Sequence, residues 1–135
     1  MAYLKPLPAY DNVNRRYWDG AKEHEFVLQK CEDCGHIQFP PAGVCNNCLS
    51  DKVGWTRASG RGRVWSFNVF HQVYWESFRG EVPYNVAWIE LEEGPMIISN
   101  LVGIKNEDIR VDMPVEVVFD DITEEWTLPR FKPAG

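Results

Sequence analysis

The fold of this chain is decided by residues 31–48, which read CEDCGHIQFPPAGVCNNC. All four cysteines of the 135-residue chain lie there, as two C-x2-C pairs separated by ten residues. A C-x2-C turn points two thiolates at one metal ion, and two such turns complete the tetrahedral S4 shell that Zn2+ prefers. The pattern therefore predicts a zinc ribbon that holds one Zn2+ per chain through Cys31, Cys34, Cys45 and Cys48.

Four cysteines in this spacing also allow three other interpretations. Two disulfides are disfavoured because no signal peptide precedes the cysteines, and a thioredoxin-like redox site would need a single pair in a βαβ context. An S4 iron site stays open, since the sequence does not separate iron from zinc. Four thiolates leave no coordination position for water, so the predicted metal is structural. Reduced, metal-binding cysteines also predict a cytoplasmic protein.

Length and composition predict a globular chain in two parts. Hydrophobic residues make up 44% and aromatic residues 13% of the sequence, and no apolar run approaches the ~20 residues of a membrane span. Residues 1–52 are expected to form an N-terminal helical segment and the ribbon. In that segment, Asp11 could cap a short helix with Val13 and Tyr17 on one face, and Gly20 could end it. Residues 53–135 are expected to form a barrel with a C-terminal tail.

The second part is predicted to be mainly β. Trp65, Phe67 and Val69 alternate with less apolar neighbours, as in a half-buried strand, and Gly60 and Gly62 precede them where a strongly bent strand would need glycine. A further turn signal at 92–95 separates two strands. The expected strands are 64–69, 85–91, 96–104, 115–120 and 126–131. Five strands with a bent first strand predict an OB-type barrel, with an SH3-like barrel as the alternative.

Charge is distributed unevenly along the chain. The formal net charge is −6, yet residues 52–75 carry four basic residues and no acidic one. Residues 76–125 carry thirteen acidic and three basic residues. Because nonspecific nucleic-acid affinity comes from neutralising phosphates, an acidic barrel makes nucleic acid an unfavoured partner.

Several motifs together carry a resemblance to a known family. The chain resembles the acyl-CoA-associated family of rubredoxin-like zinc ribbon plus OB-fold proteins, domain-of-unknown-function family thirty-five, over nearly its whole length. One departure is Asp112, where the family usually has glycine. Besides the ribbon, the motifs are Ser59-Gly60-Arg61-Gly62, Pro83-Tyr84, Glu90-Leu91-Glu92-Glu93-Gly94-Pro95, Ser99-Asn100-Leu101-Val102-Gly103, Met113-Pro114-Val115 and Leu128-Pro129-Arg130-Phe131.

The resemblance implies a companion role. Members of this family accompany thiolase-fold enzymes, pack on a thiolase-fold dimer and help to shape an acyl-CoA channel. It therefore implies a hetero-oligomer with two copies of each subunit. One role within the family is the zinc-finger subunit of the thiolase that cleaves benzoylsuccinyl-CoA in aromatic degradation. The sequence does not choose the acyl group.

The residues themselves agree that this chain lacks chemistry of its own. A thiolase needs a free cysteine nucleophile, and every cysteine here is committed to metal. No G-x-S-x-G elbow, P-loop or H-E-x-x-H motif is present. We therefore expect no catalytic residue, with the catalytic cysteine and histidine supplied by the partner. Three alternatives remain: a nucleic-acid-binding module, a scaffold that touches no ligand, and an independent acyl-CoA hydrolase.

Two sets of site residues follow as expectations. Guanidinium and ammonium groups match the phosphates of coenzyme A. The alternative is that these basic side chains only balance the charge of neighbouring acidic residues. Aromatic side chains on a loop are typical anchors of interface cores, with the alternative that they cover the end of the barrel. The predicted CoA-binding residues are Arg57, Arg61, Arg63, Arg130 and Lys132, and the predicted partner-interface residues are Tyr74, Trp75, Phe78 and Phe131.

Overall fold

The computed structural model describes residues 7–72 and 76–134, and of residues 77–79 the backbone alone. Within these residues the chain forms one short helix, eight strands and two 3₁₀ turns, and no helix there is long and apolar enough to cross a membrane. The elements are α1 (Arg15–Lys22), β1 (Val27–Cys31), β2 (Ile37–Gln38), β3 (Val53–Arg57), β4 (Arg61–Phe70), β5 (Tyr84–Leu91), β6 (Met96–Ser99), β7 (Pro114–Asp121) and β8 (Thr127–Pro133), with 3₁₀ turns at Glu76–Glu81 and Asn106–Asp108.

The first sheet belongs to the ribbon and has the strand order β2-β1-β3. Strand β1 is central, and its antiparallel register with β3 runs from Val27 opposite Arg57 to Cys31 opposite Val53. Strand β3 pairs with β1, so the chain passes from the first sheet to the second at residues 58–60. The boundary between residues 52 and 53 that the sequence suggests for the two parts stays a prediction.

The second sheet has the order β6-β5-β4-β7-β8 and curls until its ends meet. A parallel bridge joins Leu101 to Phe131, and the Ser99 hydroxyl donates to the carbonyl of Pro129 at 3.0 Å. Five strands closed in this way form a small Greek-key barrel. The predicted class is confirmed: a mainly β chain with an N-terminal helix, a zinc ribbon and an OB-fold barrel.

Two glycines allow β4 to bend across the barrel. Gly60 has φ +78°, and a Cβ there would lie 2.4 Å from Cγ1 of Val117. At Gly62 a Cβ would lie 2.5 Å from the carbonyl oxygen of Glu90 on the neighbouring strand. Since real side chains do not approach so closely, both positions require glycine.

The simple alternation expected along the first barrel strand breaks near its middle. The register between β4 and β5 shifts between Val64 and Ser66, which leaves Trp65 as an extra residue in a β-bulge. Val64 is fully buried, whereas Trp65 is 53% exposed. A bulge turns a side chain without changing the apolar pattern, so the sequence did not reveal that Trp65 faces outward.

The strand expected at 96–104 is shorter in the structure and ends at Ser99. The buried side chain of Asn85 binds the next part of the chain instead. Its Oδ1 accepts from the backbone N–H of Leu101 at 2.6 Å, and its Nδ2 donates to the carbonyl of Leu101 at 2.9 Å. A side-chain amide therefore continues the pairing where the strand stops.

The helix prediction is confirmed in place but corrected in detail. The Asp11 carboxylate accepts from the backbone N–H groups of Val13 and Asn14 at 2.9 and 2.8 Å, which caps the turn leading into α1. Tyr17 is buried as expected, but Val13 is exposed. Gly20 does not end α1 but lies inside it, and the helix ends at Lys22. A Cβ at Gly20 would lie 3.0 Å from Cγ2 of Val27, so glycine at this position allows close packing.

A single apolar core joins the helix, ribbon and barrel. Phe26 and Phe131 meet edge to face with ring centroids 6.2 Å apart, which links the start of β1 to the last barrel strand. The ribbon is therefore packed against the barrel. The buried members of this core are Tyr17, Phe26, Leu28, Val64, Ala87, Ile89, Leu91, Ile97, Leu101, Ile109, Val115 and Phe131.

Candidate functional site

The four cysteines meet at one point between two tight turns. Cys31 ends β1, and the first turn continues through Cys34 to Gly35, whose φ is +78°. The second turn runs from Cys45 to Cys48 and is followed by Leu49, which has φ +64°. Each of the two turns thus has a residue with left-handed backbone conformation directly after its second cysteine.

The sulfur positions fit a tetrahedral S4 metal site. The Sγ atoms of Cys31 and Cys48 are 3.6 Å apart and those of Cys34 and Cys45 are 3.7 Å apart, and all four lie within 4.8 Å of one another. Zn–S bonds of about 2.3 Å imply sulfurs about 3.8 Å apart. A disulfide would bring two sulfurs to about 2.05 Å, so this geometry favours metal ligation over two disulfides.

Backbone amides point at the sulfurs. The N–H groups of Cys34 and Cys48 approach the sulfurs of Cys31 and Cys45 at 3.5 Å, and the N–H of Asn47 approaches Cys45 at 3.3 Å. Such donors stabilise the negative charge that four thiolates place around one cation. The residues therefore suit Zn2+, which would supply folding free energy and fill all four positions with sulfur.

The thiols of the cluster differ in their acidity. Hydrogen bonds from the Asn47 side chain and then from the backbone of His36 lower the pKa of the Cys34 thiol to about 6. Cys48 has a backbone hydrogen bond with Ser50, which lowers its pKa, but desolvation and the neighbouring thiols outweigh it and raise that pKa to about 12. Metal binding requires thiolates and would therefore release the thiol protons.

A buried amide pair holds the segment that carries the second turn. The Nε2 of Gln38 donates to the Oε1 of Gln29 at 2.9 Å, and that same oxygen accepts from the backbone N–H of Ala42 at 2.8 Å. The Oε1 of Gln38 accepts from the backbone N–H of Asn46 at 2.8 Å. The sequence does not predict this support. Its one signal is a glutamine in each of two short strands, Gln29 in β1 and Gln38 in β2.

Of the predicted CoA-binding residues, Arg61 and Lys132 come into one row across the barrel. Arg61 lies opposite Glu116, and Glu116 lies opposite Lys132. Strand β7 thus separates the first and last barrel strands, and the two cations stand two strand spacings, roughly 10 Å, apart. Lys132 pairs with Glu116 at 3.6 Å, and Arg61 pairs with Glu92 at 3.6 Å.

The other predicted cations differ in their surroundings. Arg63 binds Glu90 at 3.0 Å and also contacts Asp112. Those two acids raise the pKa of its guanidinium, with the hydrogen bond to Glu90 as the largest cause. Arg130 is mostly buried and binds Asp120 at 2.7 Å and the Asn100 side chain at 2.8 Å. Arg57 is exposed, and no ion pair involves it in the described part of the chain.

The predicted interface residues fall mostly outside the described residues. Tyr74 and Trp75 lie in the undescribed segment 73–75, and the side chain of Phe78 is likewise outside the description. Phe131 is fully buried in the shared core. Its side chain serves packing in this chain, so we leave it out of any proposed interface.

A large apolar patch lies instead on the outer face of strands β4 to β6. Trp65, Trp88 and Ile98 are 53%, 40% and 53% exposed, and Trp88 lies directly opposite Ile98 in the β5–β6 register. We call this group the outer apolar face. Sequence analysis missed it, because the inward or outward direction of Trp65 depends on the bulge.

With this geometry established, family models identify both parts. Residues 18–54 match the model described as the rubredoxin-like zinc ribbon domain of ChsH2, and residues 55–120 match that of its C-terminal OB-fold domain. A DUF35 domain-containing scaffold protein of Methanocaldococcus jannaschii is 35% identical over 117 residues, covering 85% of this chain and 82% of that protein. The chain therefore belongs to the DUF35 family of zinc-ribbon and OB-fold proteins.

Three further comparisons concern relatives named as parts of enzymes. A solved structure titled "Ltp2-ChsH2(DUF35) aldolase" matches with TM-score 0.87 and 36% identity, over 96% of this chain and 100% of that chain. A probable enoyl-CoA hydratase alpha subunit of Thermomonospora curvata is 37% identical over 97% of this chain, which spans only 40% of that subunit. The benzoylsuccinyl-CoA thiolase subunit BbsA of Thauera aromatica is 27% identical over 68% of this chain and 64% of its own length.

Proposed function

We propose that this chain is a non-catalytic zinc-binding subunit of a thiolase-type acyl-CoA enzyme, which stabilises a thiolase-fold partner and helps to form its acyl-CoA channel. The observation that carries the proposal is the end-to-end match to the DUF35 chain of an aldolase complex, at 36% identity and TM-score 0.87. The thiolase subunit BbsA supports the choice of a thiolase-type partner.

The metal centre supports a companion rather than an enzyme. Cys31, Cys34, Cys45 and Cys48 are drawn into one cluster, and four thiolates on one Zn2+ leave no open position for water or substrate. A covalent acyl transfer needs a free nucleophile with an adjacent base, and the cysteines are not available for that role. We therefore assign the chemistry to the partner and a structural role to Zn2+.

A direct contact with the CoA phosphates belongs to the same proposal. Arg61 and Arg63 border a shallow depression together with Glu90 and Glu92. The Arg61–Glu92 pair is open to water, and exposed pairs of this kind contribute little to stability. A phosphate at the mouth of the partner's channel could therefore replace Glu92. Arg57 and Lys132 are accessible for the same purpose, whereas Arg130 would first have to leave Asp120 and Asn100.

The partner is tested by affinity purification of the tagged chain, expressed at its native level, followed by mass spectrometry. We expect a thiolase-fold protein in stoichiometric amount. An untagged strain processed in parallel controls for carry-over. Recovery of the chain without any thiolase-fold protein would contradict the proposal.

The phosphate contact is tested by steady-state kinetics of the purified complex. Arg61→Ala with Arg63→Ala is expected to raise KM for the acyl-CoA and to leave kcat nearly unchanged, since the lost contacts are to a non-reacting part of the substrate. Arg16→Ala is the matched control, because Arg16 forms an exposed ion pair with Glu25 outside this depression. An unchanged KM in an intact complex would reduce the role of the chain to that of a scaffold.

A further inference from the structure

The strand register places the residues of the outer apolar face on the same side of the barrel sheet. Along β5 the side chains of Asn85, Ala87, Ile89 and Leu91 are buried, so those at 86, 88 and 90 point outward. Trp88 faces Ile98 on one neighbouring strand and Ser66, next to the bulged Trp65, on the other. Three strands therefore contribute to one continuous surface.

The described residues of this surface carry no excess of cations. At one end Arg63 binds both Glu90 and Asp112, so that end has one more acid than base. Beyond that end, the cross-strand pairs are Ser66 with Trp88, Asn68 with Val86, and Phe70 with Tyr84. None of these six residues is charged, so the rest of the described face is neutral and largely apolar.

The absence of cationic excess decides between two kinds of occupant. The second and third strands of an OB barrel often bind oligonucleotides, and β5 and β6 hold those positions here. A nucleic acid would need lysine or arginine along the whole face for its phosphates, and the pairs from Ser66–Trp88 to Phe70–Tyr84 contain neither. A neutral face with two exposed tryptophans fits instead the apolar centre of a protein interface.

The area supports the same choice. Two tryptophans exposed to 53% and 40% leave on the order of 200 Å² of indole surface in water. A specific interface takes about 800 Å² from each partner, so this group would form its centre and not its whole extent. The face ends at Phe70 and Tyr84, whose stacked rings have centroids 5.4 Å apart, at the two ends of the segment 71–83.

We infer that the outer apolar face, centred on Trp65, Trp88 and Ile98, is the surface that docks on an uncharged apolar patch of the thiolase-fold subunit. The inference rests on the proposed function, because it names the surface through which that function operates. Trp88 forms the centre, since it contacts both neighbouring strands.

The test uses the thiolase-fold protein identified by mass spectrometry, purified and titrated with the full-length chain by calorimetry. Trp88→Ser and Trp65→Ser are each expected to raise Kd at least about 30-fold, as truncation of a central interface tryptophan does. Leu49→Asn is the matched control, because it removes a more exposed apolar side chain from the ribbon and asparagine tolerates a positive φ. Its Kd should match that of the parent chain.

Hydrogen exchange of the wild-type pair gives a second reading without any substitution. Amides of β5 and β6 should gain protection in the complex, whereas those of the turns at Cys34 and Cys48 should not. Unchanged Kd in both tryptophan variants, or protection confined to the ribbon, would overturn the inference and leave the proposed function intact. If the wild-type chain self-associates and Trp88→Ser does not, the face binds a second copy of this chain, which would also overturn the inference. Capture of no thiolase-fold protein at all would overturn both.

Discussion

The ribbon and the barrel stabilise their strands by different means. In the ribbon, the buried groups include two thiols, Cys31 and Cys45, and the amides of Gln29 and Gln38, which hold loops through hydrogen bonds. In the barrel, the buried groups are mostly aliphatic and aromatic side chains such as Ile89 and Phe131. Because the ribbon is too small to offset its ordering entropy by apolar burial, we expect its folding to depend on a bound metal and that of the barrel not to.

The two regions are nevertheless joined. Phe26 and Leu28 lie on the ribbon side of the molecule, yet they belong to the core that contains Val64 and Phe131. Loss of metal should therefore disturb the barrel through β1. Substitutions in the two regions separate the contribution of the metal from those of barrel packing, strand closure and charge, from the largest expected effect to the smallest.

Replacing Cys31 by Ser should have the largest effect, because it removes one metal ligand from the central ribbon strand. Structural zinc contributes on the order of 10 kcal/mol of folding free energy in small ribbons. We expect about one Zn2+ per wild-type chain by elemental analysis, none in the variant, and loss of exchange protection from β1 to β3. Asn47→Ala, which keeps all four ligands, should retain its metal. Freshly purified, reduced wild-type protein without metal would contradict the account. Iron in place of zinc would change the identity of the metal and leave its structural role as it is.

A matched pair of glycines separates backbone strain from steric clash. Gly60 and Gly35 both have φ +78°, but a Cβ at Gly60 would strike Val117, whereas nothing lies within 4 Å at Gly35. We expect Gly60→Ala to cost about 3 kcal/mol or more of unfolding free energy and Gly35→Ala about 1 kcal/mol. Urea unfolding measures both. Equal losses would mean that the barrel relaxes around β4 and that close approach does not require Gly60.

Removal of the Asn85 side chain tests how the barrel closes. Asn85→Ala leaves the N–H and carbonyl of Leu101 without their buried partners, which should cost about 2 kcal/mol. Asn106→Ala, which removes a 3.2 Å contact with Asn85 and a 3.4 Å contact with the carbonyl of Pro83, should cost less than about 1 kcal/mol. Thermal unfolding of the two variants compares them. A smaller loss in Asn85→Ala than in its control would show that the closure does not depend on this amide.

The smallest expected effect concerns acid. Hydrogen bonds from Thr127 and then from His24 lower the pKa of Asp121 below its usual 3.8. A depressed folded-state pKa gives stability that is present above the unfolded value and is lost as pH falls through the folded one. Thermal unfolding of Asp121→Asn should therefore depend less on pH below about 4 than that of the wild type. Parallel pH profiles would mean that His24 and Thr127 do not stabilise the charged form.

Much of the fold could be predicted because its signals are local. Cysteine spacing identifies the ribbon, and strand periodicity with the turn at 92–95 identifies most of the barrel. The errors arise from tertiary contacts. A side-chain amide, Asn85, replaced the end of a predicted strand, and a bulge turned Trp65 outward. Gly20 looked like a helix stop, but packing against Val27 explains it.

The candidate sites differ in the same way. The metal ligands follow from spacing within two short turns. The surroundings of the predicted CoA-binding residues depend on strand order, which placed β7 between β4 and β8 and put Glu116 next to Lys132. The outer apolar face depends on register across three strands. Pairing order and register are set by distant parts of the chain, so no local pattern contained them.

The central claim is that the barrel of this chain docks a thiolase-fold enzyme while the zinc ribbon keeps its own strands folded. Native mass spectrometry of the assembly purified from its source tests it most directly. The account predicts a hetero-oligomer with two copies of each subunit and one Zn2+ in each copy of this chain, which dissociates when Trp88 is replaced by Ser although the metal stays bound. A free chain of 15.6 kDa in the wild-type preparation would contradict the account.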